Sequence, residues 1–169
     1  VVLLCDVSDS VRNVSRLMLL FVHTLQARYA RVRSFVFVSD IGEVTSLFKE
    51  SKAEEAVDGA VAARVINLSA NSNYGHAFRQ FHADFRGAVS RRTTVVVIGD
   101  GRSNYNPPNA WVLEELRRKS KRLVWLCPEE RASWGFGDSE MTAYARWCHQ
   151  VLIVRTPDDL ARAAEQILP

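Results

Sequence analysis

Oxygen-bearing side chains gather at three places in this chain, each beside a run that reads as a regular element. The first is Asp6-Val7-Ser8-Asp9-Ser10, delivered by the apolar run Val1-Val2-Leu3-Leu4-Cys5. Asp6, Ser8 and Ser10 alternate, so a turn that curls about one point aims three hard oxygen donors at a small divalent cation, the ligand type that magnesium takes. The second place is the polar loop Ser69-Ala70-Asn71-Ser72-Asn73 ahead of Gly75, and the third is Gly99-Asp100-Gly101 after the run Thr93 to Ile98. Serine and aspartate are also common turn and cap residues, and Ser10 is suited to cap a helix that starts there. One such cluster proves little; three in order favour a metal site.

The elements that must position these residues follow from periodicity. Val11, Val14, Leu17, Met18, Phe21 and Leu25 recur at helical spacing and predict a helix from about Ser10 to Tyr29, starting at the first cluster. Arg33 to Val38, a Ser-Asp-Ile-Gly turn, and Glu43 to Phe48 read as a hairpin-like pair of strands. Ser51 with Glu54 forms a capping box before a second helix that ends near Ala63. A third helix carries Phe78, Phe81 and Phe85. Thr93 to Ile98 is a continuous run rich in valine, hence a strand buried on both faces. Pro107 and Pro108 open a fourth helix reaching about Ser120, Leu123 to Cys127 is another buried strand, and Met141 to Cys148 reads as helical. Val151 to Val154 is the last strand, and Thr156-Pro157 opens the final helix as N-cap and first helical residue.

Strands that are uninterrupted apolar runs, alternating with helices, indicate an α/β fold with a doubly wound, mostly parallel central sheet covered by helices on both faces. In such sheets ligands sit beyond the carboxyl ends of the strands. The loops bearing Asp6, Ser8, Ser10, Ser72 and Asp100 leave strand ends or feed adjacent helices, so they converge on that edge.

Composition bounds the alternatives. With 169 residues, 47% of them apolar, the chain suits one domain, residues 1–169, with a sizeable core. It begins at Val1 inside a strand and reads as a domain cut from a longer polypeptide. The 22 basic residues barely exceed the 19 acidic ones, so a nucleic-acid partner is not implied. The denser group Arg117, Arg118, Lys119, Lys121 and Arg122 falls at a helix end, where cations complement the dipole. Cys5, Cys127 and Cys148 form no Cys-x-x-Cys pair; buried thiols in a reduced, cytoplasmic compartment are expected. No apolar run approaches the ~20 residues that cross a bilayer.

Asp6-x-Ser8-x-Ser10 after the first strand, Ser72 before Gly75 and its helix, and Asp100-Gly101 after a later strand together resemble the metal-ion-dependent adhesion site of von Willebrand factor A (VWA) domains. The order and spacing cover almost the whole chain. Phe35-Val36-Phe37, Trp125-Leu126-Cys127-Pro128 and the arginine-rich approach to that strand are most similar to the CoxE-like bacterial branch. The resemblance implies a Rossmann-like three-layer sandwich with one antiparallel edge strand, and a non-catalytic protein-interaction module. It implies Ser8, Ser10 and Ser72 as direct ligands of Mg2+, and Asp6 and Asp100 as anionic partners binding directly or through water. A carboxylate from an Asp or Glu of a partner protein would complete the shell. Ligand types alone do not separate magnesium from manganese or calcium. The same resemblance implies a MoxR-type AAA+ ATPase, on a separate chain, as partner in maturing or remodelling other proteins. The rim of the site would then comprise Asp9, Arg102, Tyr105, Trp134 and Phe136, the aromatic residues as interface anchors and Arg102 as a pair for the incoming carboxylate.

The chain departs from the family pattern twice. Ser72 stands where threonine is usual, keeping the hydroxyl without the methyl that fixes its rotamer. Asp9 stands where glycine is usual, and three outcomes stay open: it strengthens cation attraction, obstructs the partner's carboxylate, or turns out to solvent. An enzyme reading comes from another class, the haloacid-dehalogenase phosphohydrolases, with Asp6 as nucleophile. That chemistry usually needs a second carboxylate two residues on as general acid and base, and Ser8 occupies the position.

Overall fold

The computed structural model describes residues 1–8, 21, 22, 25, 31–50, 55, 59, 67 and 69–167. Strands β1 (Val2–Asp6), β2 (Arg33–Phe37), β3 (Ile41–Glu43), β4 (Thr94–Ile98), β5 (Arg122–Cys127) and β6 (Gln150–Ile153) form a sheet in the order β3-β2-β1-β4-β5-β6. Every neighbouring pair is parallel except β2 with β3, so the antiparallel strand lies at one edge. The described helices are α1 (Thr45–Glu50), α2 (Tyr74–Phe85), α3 (Trp111–Lys119), α4 (Met141–Ala145) and α5 (Pro157–Ile167).

Because successive strand side chains point to opposite faces, β1 feeds two cores. Leu3 and Cys5 join Val36, Val96, Ile98, Val124 and Leu126 on one face, covered by Phe21, Val22, Leu25, Phe48 and the Leu160, Ala163 and Ile167 stripe of α5. Val2 and Leu4 join Phe35, Phe37, Val95, Val97 and Trp125 on the other, covered by α2, α3 and α4 through Tyr74, Phe78, Phe81, Val112, Leu113, Leu116, Met141 and Tyr144. Strands β1, β2 and β4 are buried almost throughout, which is why their sequences run apolar without alternation.

Three local expectations are corrected. Glu43 to Phe48 is not a strand: pairing runs from Phe37↔Ile41 to Phe35↔Glu43, and α1 starts at Thr45. The Thr45 hydroxyl donates to Glu43 Oε1 and accepts from the Ser34 N–H, so the chain turns there, and the new helix seats Phe48 in the core. Pro107 and Pro108 precede their helix rather than open it; Asn109 has φ 46°, a left-handed residue that postpones the start of α3. The segment from Met141 keeps helical geometry only to Ala145. The start of the final helix is as read: the Thr156 hydroxyl accepts from the Asp159 N–H at 3.1 Å and Asp159 Oδ2 accepts from the Thr156 N–H at 3.0 Å. Of the helix predicted from Ser10 to Tyr29, Phe21, Val22 and Leu25 are helical and buried; of that ending near Ala63, Glu55 and Gly59 are helical. The remainder of both, with the Ser51–Glu54 capping box, lies outside the described residues.

The basic group at the end of α3 is largely engaged with the fold. Arg117 donates to the carbonyls of Trp147 and Cys148, Arg118 pairs with Glu115, and Arg122 donates to the Gln166 carbonyl. All three cysteines are free and buried, with burial raising their thiol pKa, to about 11 for Cys127 and about 12 for Cys148. Such thiols are inert. Among the described residues no helix is long and apolar enough to cross a membrane.

Candidate metal centre

The strand order reverses direction between β1 and β4, and in an open α/β sheet that reversal leaves a crevice beyond the strands' carboxyl ends. Asp6 is the last residue of β1, and Asp100 comes two residues after the end of β4. Both are buried, at 1% and 4% exposure. The two turns are built alike. Asp6 Oδ1 accepts from the Ser8 N–H at 2.8 Å, and Asp100 Oδ1 from the Arg102 N–H at 2.9 Å. This aspartate-to-i+2 bond closes a tight turn at the end of each strand.

A third residue joins them. Tyr74, the first residue of α2, donates its hydroxyl to Asp6 Oδ2 at 2.6 Å and stands 3.5 Å from Asp100 Oδ1. The start of α2 is held by the Asn73 side chain, which accepts from the His76 N–H, and by the Asn73 N–H, which donates to the Val38 carbonyl at the end of β2. Ser72 lies in this same anchored loop, half-buried, two residues before Tyr74. The structure thus brings Asp6, Ser8 and Asp100, with the loop bearing Ser72, to one edge. Ser10 and Asp9 lie outside the described residues.

Motif spacing alone does not single out Tyr74. A signal was present: on the α2 stripe Tyr74, Phe78, Phe81 and Phe85, only the residue nearest the loop carries a hydroxyl. Its ring stacks on Trp125, which stacks in turn on Tyr144. Trp125 donates its indole N–H to the Gly99 carbonyl at 2.8 Å, which fixes the backbone beside Asp100.

Electrostatics suit a cation. Burial, then the charge of Asp100, pushes the Asp6 carboxyl from 3.8 up to about 7; donations from Tyr74 and Ser8 oppose this. The hydrogen-bond partners that hold Asp6 are uncharged. Like charges buried side by side repel, and a positive charge between them relieves that repulsion. Among the described residues no group of three or more His, Cys, Asp and Glu is placed to hold a metal ion; the buried polar side chains gathered at this edge are the two carboxylates and Ser8. Hard oxygen donors of that kind fit magnesium or manganese better than a thiophilic ion.

The rim is tied together by Arg102. Its guanidinium meets both carboxylate oxygens of Glu129, at 2.7 and 3.0 Å, and Asp138 Oδ1 at 2.9 Å, and these contacts raise its pKa. It therefore joins the loop after β4 to the loop after β5 from within the chain. Trp134 folds back, donating to the Glu129 carbonyl, with Arg131 stacked on its ring. Tyr105 and Phe136 project outward, 79% and 70% exposed, and Tyr105 follows Asn104 in left-handed backbone geometry. Replacing Arg102 with Ala should lower the melting temperature by roughly 3 °C, the effect of about 1 kcal/mol in a domain this size. It should also open the 128–139 loop to limited proteolysis; an unchanged cleavage pattern would contradict the clamp.

A family model described as VWA domain containing CoxE-like protein matches residues 1–163. No curated protein matches. Among solved structures, proximal thread matrix protein 1 from the mussel byssus, with a zinc-occupied MIDAS motif, superposes at a TM-score of 0.63 and 15% identity, covering 99% of this chain and 46% of that one. A von Willebrand factor type A protein from Catenulispora acidiphila gives 0.59 and 17%, over 98% and 40%. The conserved hypothetical protein BatB from Bacteroides thetaiotaomicron gives 0.59 and 11%, over 98% and 95%. The chain spans less than half the length of the mussel and Catenulispora chains, and at these identities the likeness is one of fold.

Proposed function

Because the chain belongs to the family of CoxE-like VWA domains, we propose that it is a non-catalytic protein-interaction module whose contact with its partner depends on a divalent cation, Mg2+ or its substitute Mn2+. The observation that carries this reading is the pair of buried carboxylates, Asp6 and Asp100, closed by matching turns at the sheet's switch point. In this reading Ser8, Ser10 and Ser72 are the neutral hydroxyl ligands that complete the donor set. Neutral donors leave a bound cation enough positive character to attract an outside carboxylate, and that attraction is the chemistry the ion supplies. The chain's own part is to hold the donors rigidly and to present Tyr105 and Phe136 beside them as anchors for a partner.

The partner supplies an Asp or Glu, and the family resemblance points to a MoxR-type AAA+ ATPase acting in the cytoplasm on other proteins. The phosphohydrolase alternative draws no support from the family match or the structural neighbours, and Ser8 remains where its general acid would stand. Calorimetric titration with MgCl2 tests the site, and co-purification with the ATPase in magnesium against EDTA tests the partnership. Saturable binding, and capture that EDTA abolishes, are expected. A flat titration would overturn the metal reading; capture failing in both buffers would overturn the pairing.

A further inference from the structure

We propose that Tyr74 is a positioning residue of the metal centre, its hydroxyl holding Asp6 beside Asp100 in the arrangement that receives the cation; this rests on the metal-binding reading above. Its side chain is wholly buried, yet phenylalanine would fill the same ring space without a polar group to satisfy. The hydroxyl is used on the site. It donates to Asp6 Oδ2 at 2.6 Å while the Ser8 N–H holds Oδ1 at 2.8 Å, so both oxygens of that carboxylate are pinned by separate elements, α2 and the β1 turn. Each carboxylate oxygen accepts more than one bond, so pinning leaves capacity toward a cation or its water.

The fold makes room for this one oxygen. A Cβ on Gly99 would lie 2.0 Å from the Tyr74 hydroxyl and 2.8 Å from Asp6 Cβ, so glycine at 99 is what lets α2 reach across β4 to β1. The ring cannot drift either: Phe37 meets its edge at 4.9 Å and Trp125 stacks on it at 5.9 Å. Partners that hydrogen-bond a ligating carboxylate orient it and tune affinity, and their loss costs about 10- to 100-fold.

The test is a Mn2+ titration of the full chain, of Tyr74→Phe and of Phe81→Leu, with apo melting temperatures measured alongside. Phe81 lies on the same helix and packs on Phe35, away from the site, so its variant reports helix destabilisation alone. Tyr74→Phe should weaken Mn2+ binding at least ~10-fold, while Phe81→Leu melts earlier but binds as the parent does. Equal or tighter binding by Tyr74→Phe, or an equal loss in Phe81→Leu, would overturn the positioning role and leave the metal reading standing. Absence of binding by the parent chain would overturn the metal reading and this inference with it.

Discussion

Asp6→Asn is expected to abolish divalent-cation binding and, at pH 8, to make the metal-free chain more stable than the parent. The two effects share one cause. Burial and the neighbouring Asp100 raise the Asp6 carboxyl from 3.8 to about 7. A group whose pKa is raised on folding contributes stability that is fully present below its unfolded value and is lost as pH rises through the folded one. In the metal-free parent that loss therefore runs from about pH 4 to above pH 7, and amounts to at most about 4 kcal/mol at 1.36 kcal/mol per pKa unit. Asparagine keeps an oxygen for the Ser8 N–H, and the Tyr74 hydroxyl can turn to accept from the amide. The charge conflict with Asp100 goes. Thermal melts of both proteins without metal at pH 5 and pH 8 should show the variant gaining on the parent at the higher pH, by roughly 4–8 °C if about 2 kcal/mol is recovered. In MgCl2 the order reverses, because only the parent is stabilised by binding. A variant that melts below the parent in metal-free buffer at pH 8 would refute the electrostatic account.

Gly99→Ala carries the second large effect, although a methyl group has no chemistry to offer. Its Cβ meets the Tyr74 hydroxyl at 2.0 Å and Asp6 Cβ at 2.8 Å, and neither can retreat easily. Tyr74 is backed by Trp125 and Phe37, and Asp6 is the paired end of a central strand. Overpacking of this kind costs about 1–3 kcal/mol or more, equivalent to a fall of roughly 3–10 °C in a domain this size. Metal affinity should fall further than the melting temperature suggests, because the displaced atoms are those that set the carboxylates. Differential scanning calorimetry with a parallel Mn2+ titration measures both. A variant that melts and binds like the parent would show that the Tyr74–Asp6 contact is not maintained.

The site's ingredients were legible in the sequence because they obey local rules. An apolar run ending in Asp-x-Ser must leave a carboxylate at a strand end, and Asp6 and Asp100 stand at such ends, each closing its turn on the second residue beyond. The Thr156 cap was legible for the same reason. The segment Glu43 to Phe48 is too short for its sequence to separate strand from helix, although Val44, Leu47 and Phe48 have the i, i+3, i+4 spacing of a helix face. The choice was made by Thr45 bonding to Ser34 and Glu43, and by the pocket that Phe48 fills. Arg102 reads from sequence as a free cation beside a site for carboxylates. It is paired with Glu129 and Asp138, residues 27 and 36 positions away.

The sequence by itself determined the α/β alternation, the order of the oxygen-bearing loops and the family, since each depends on residue type and spacing along the chain. Only the tertiary structure decided that β1 and β4 lie side by side, that a tyrosine on a distant helix closes on Asp6, and that Gly99 makes space for it. Hydrogen-bond geometry and the repulsion of buried charges act over a few ångströms, and residues 68 positions apart come that close only when the sheet and its covering helices have packed.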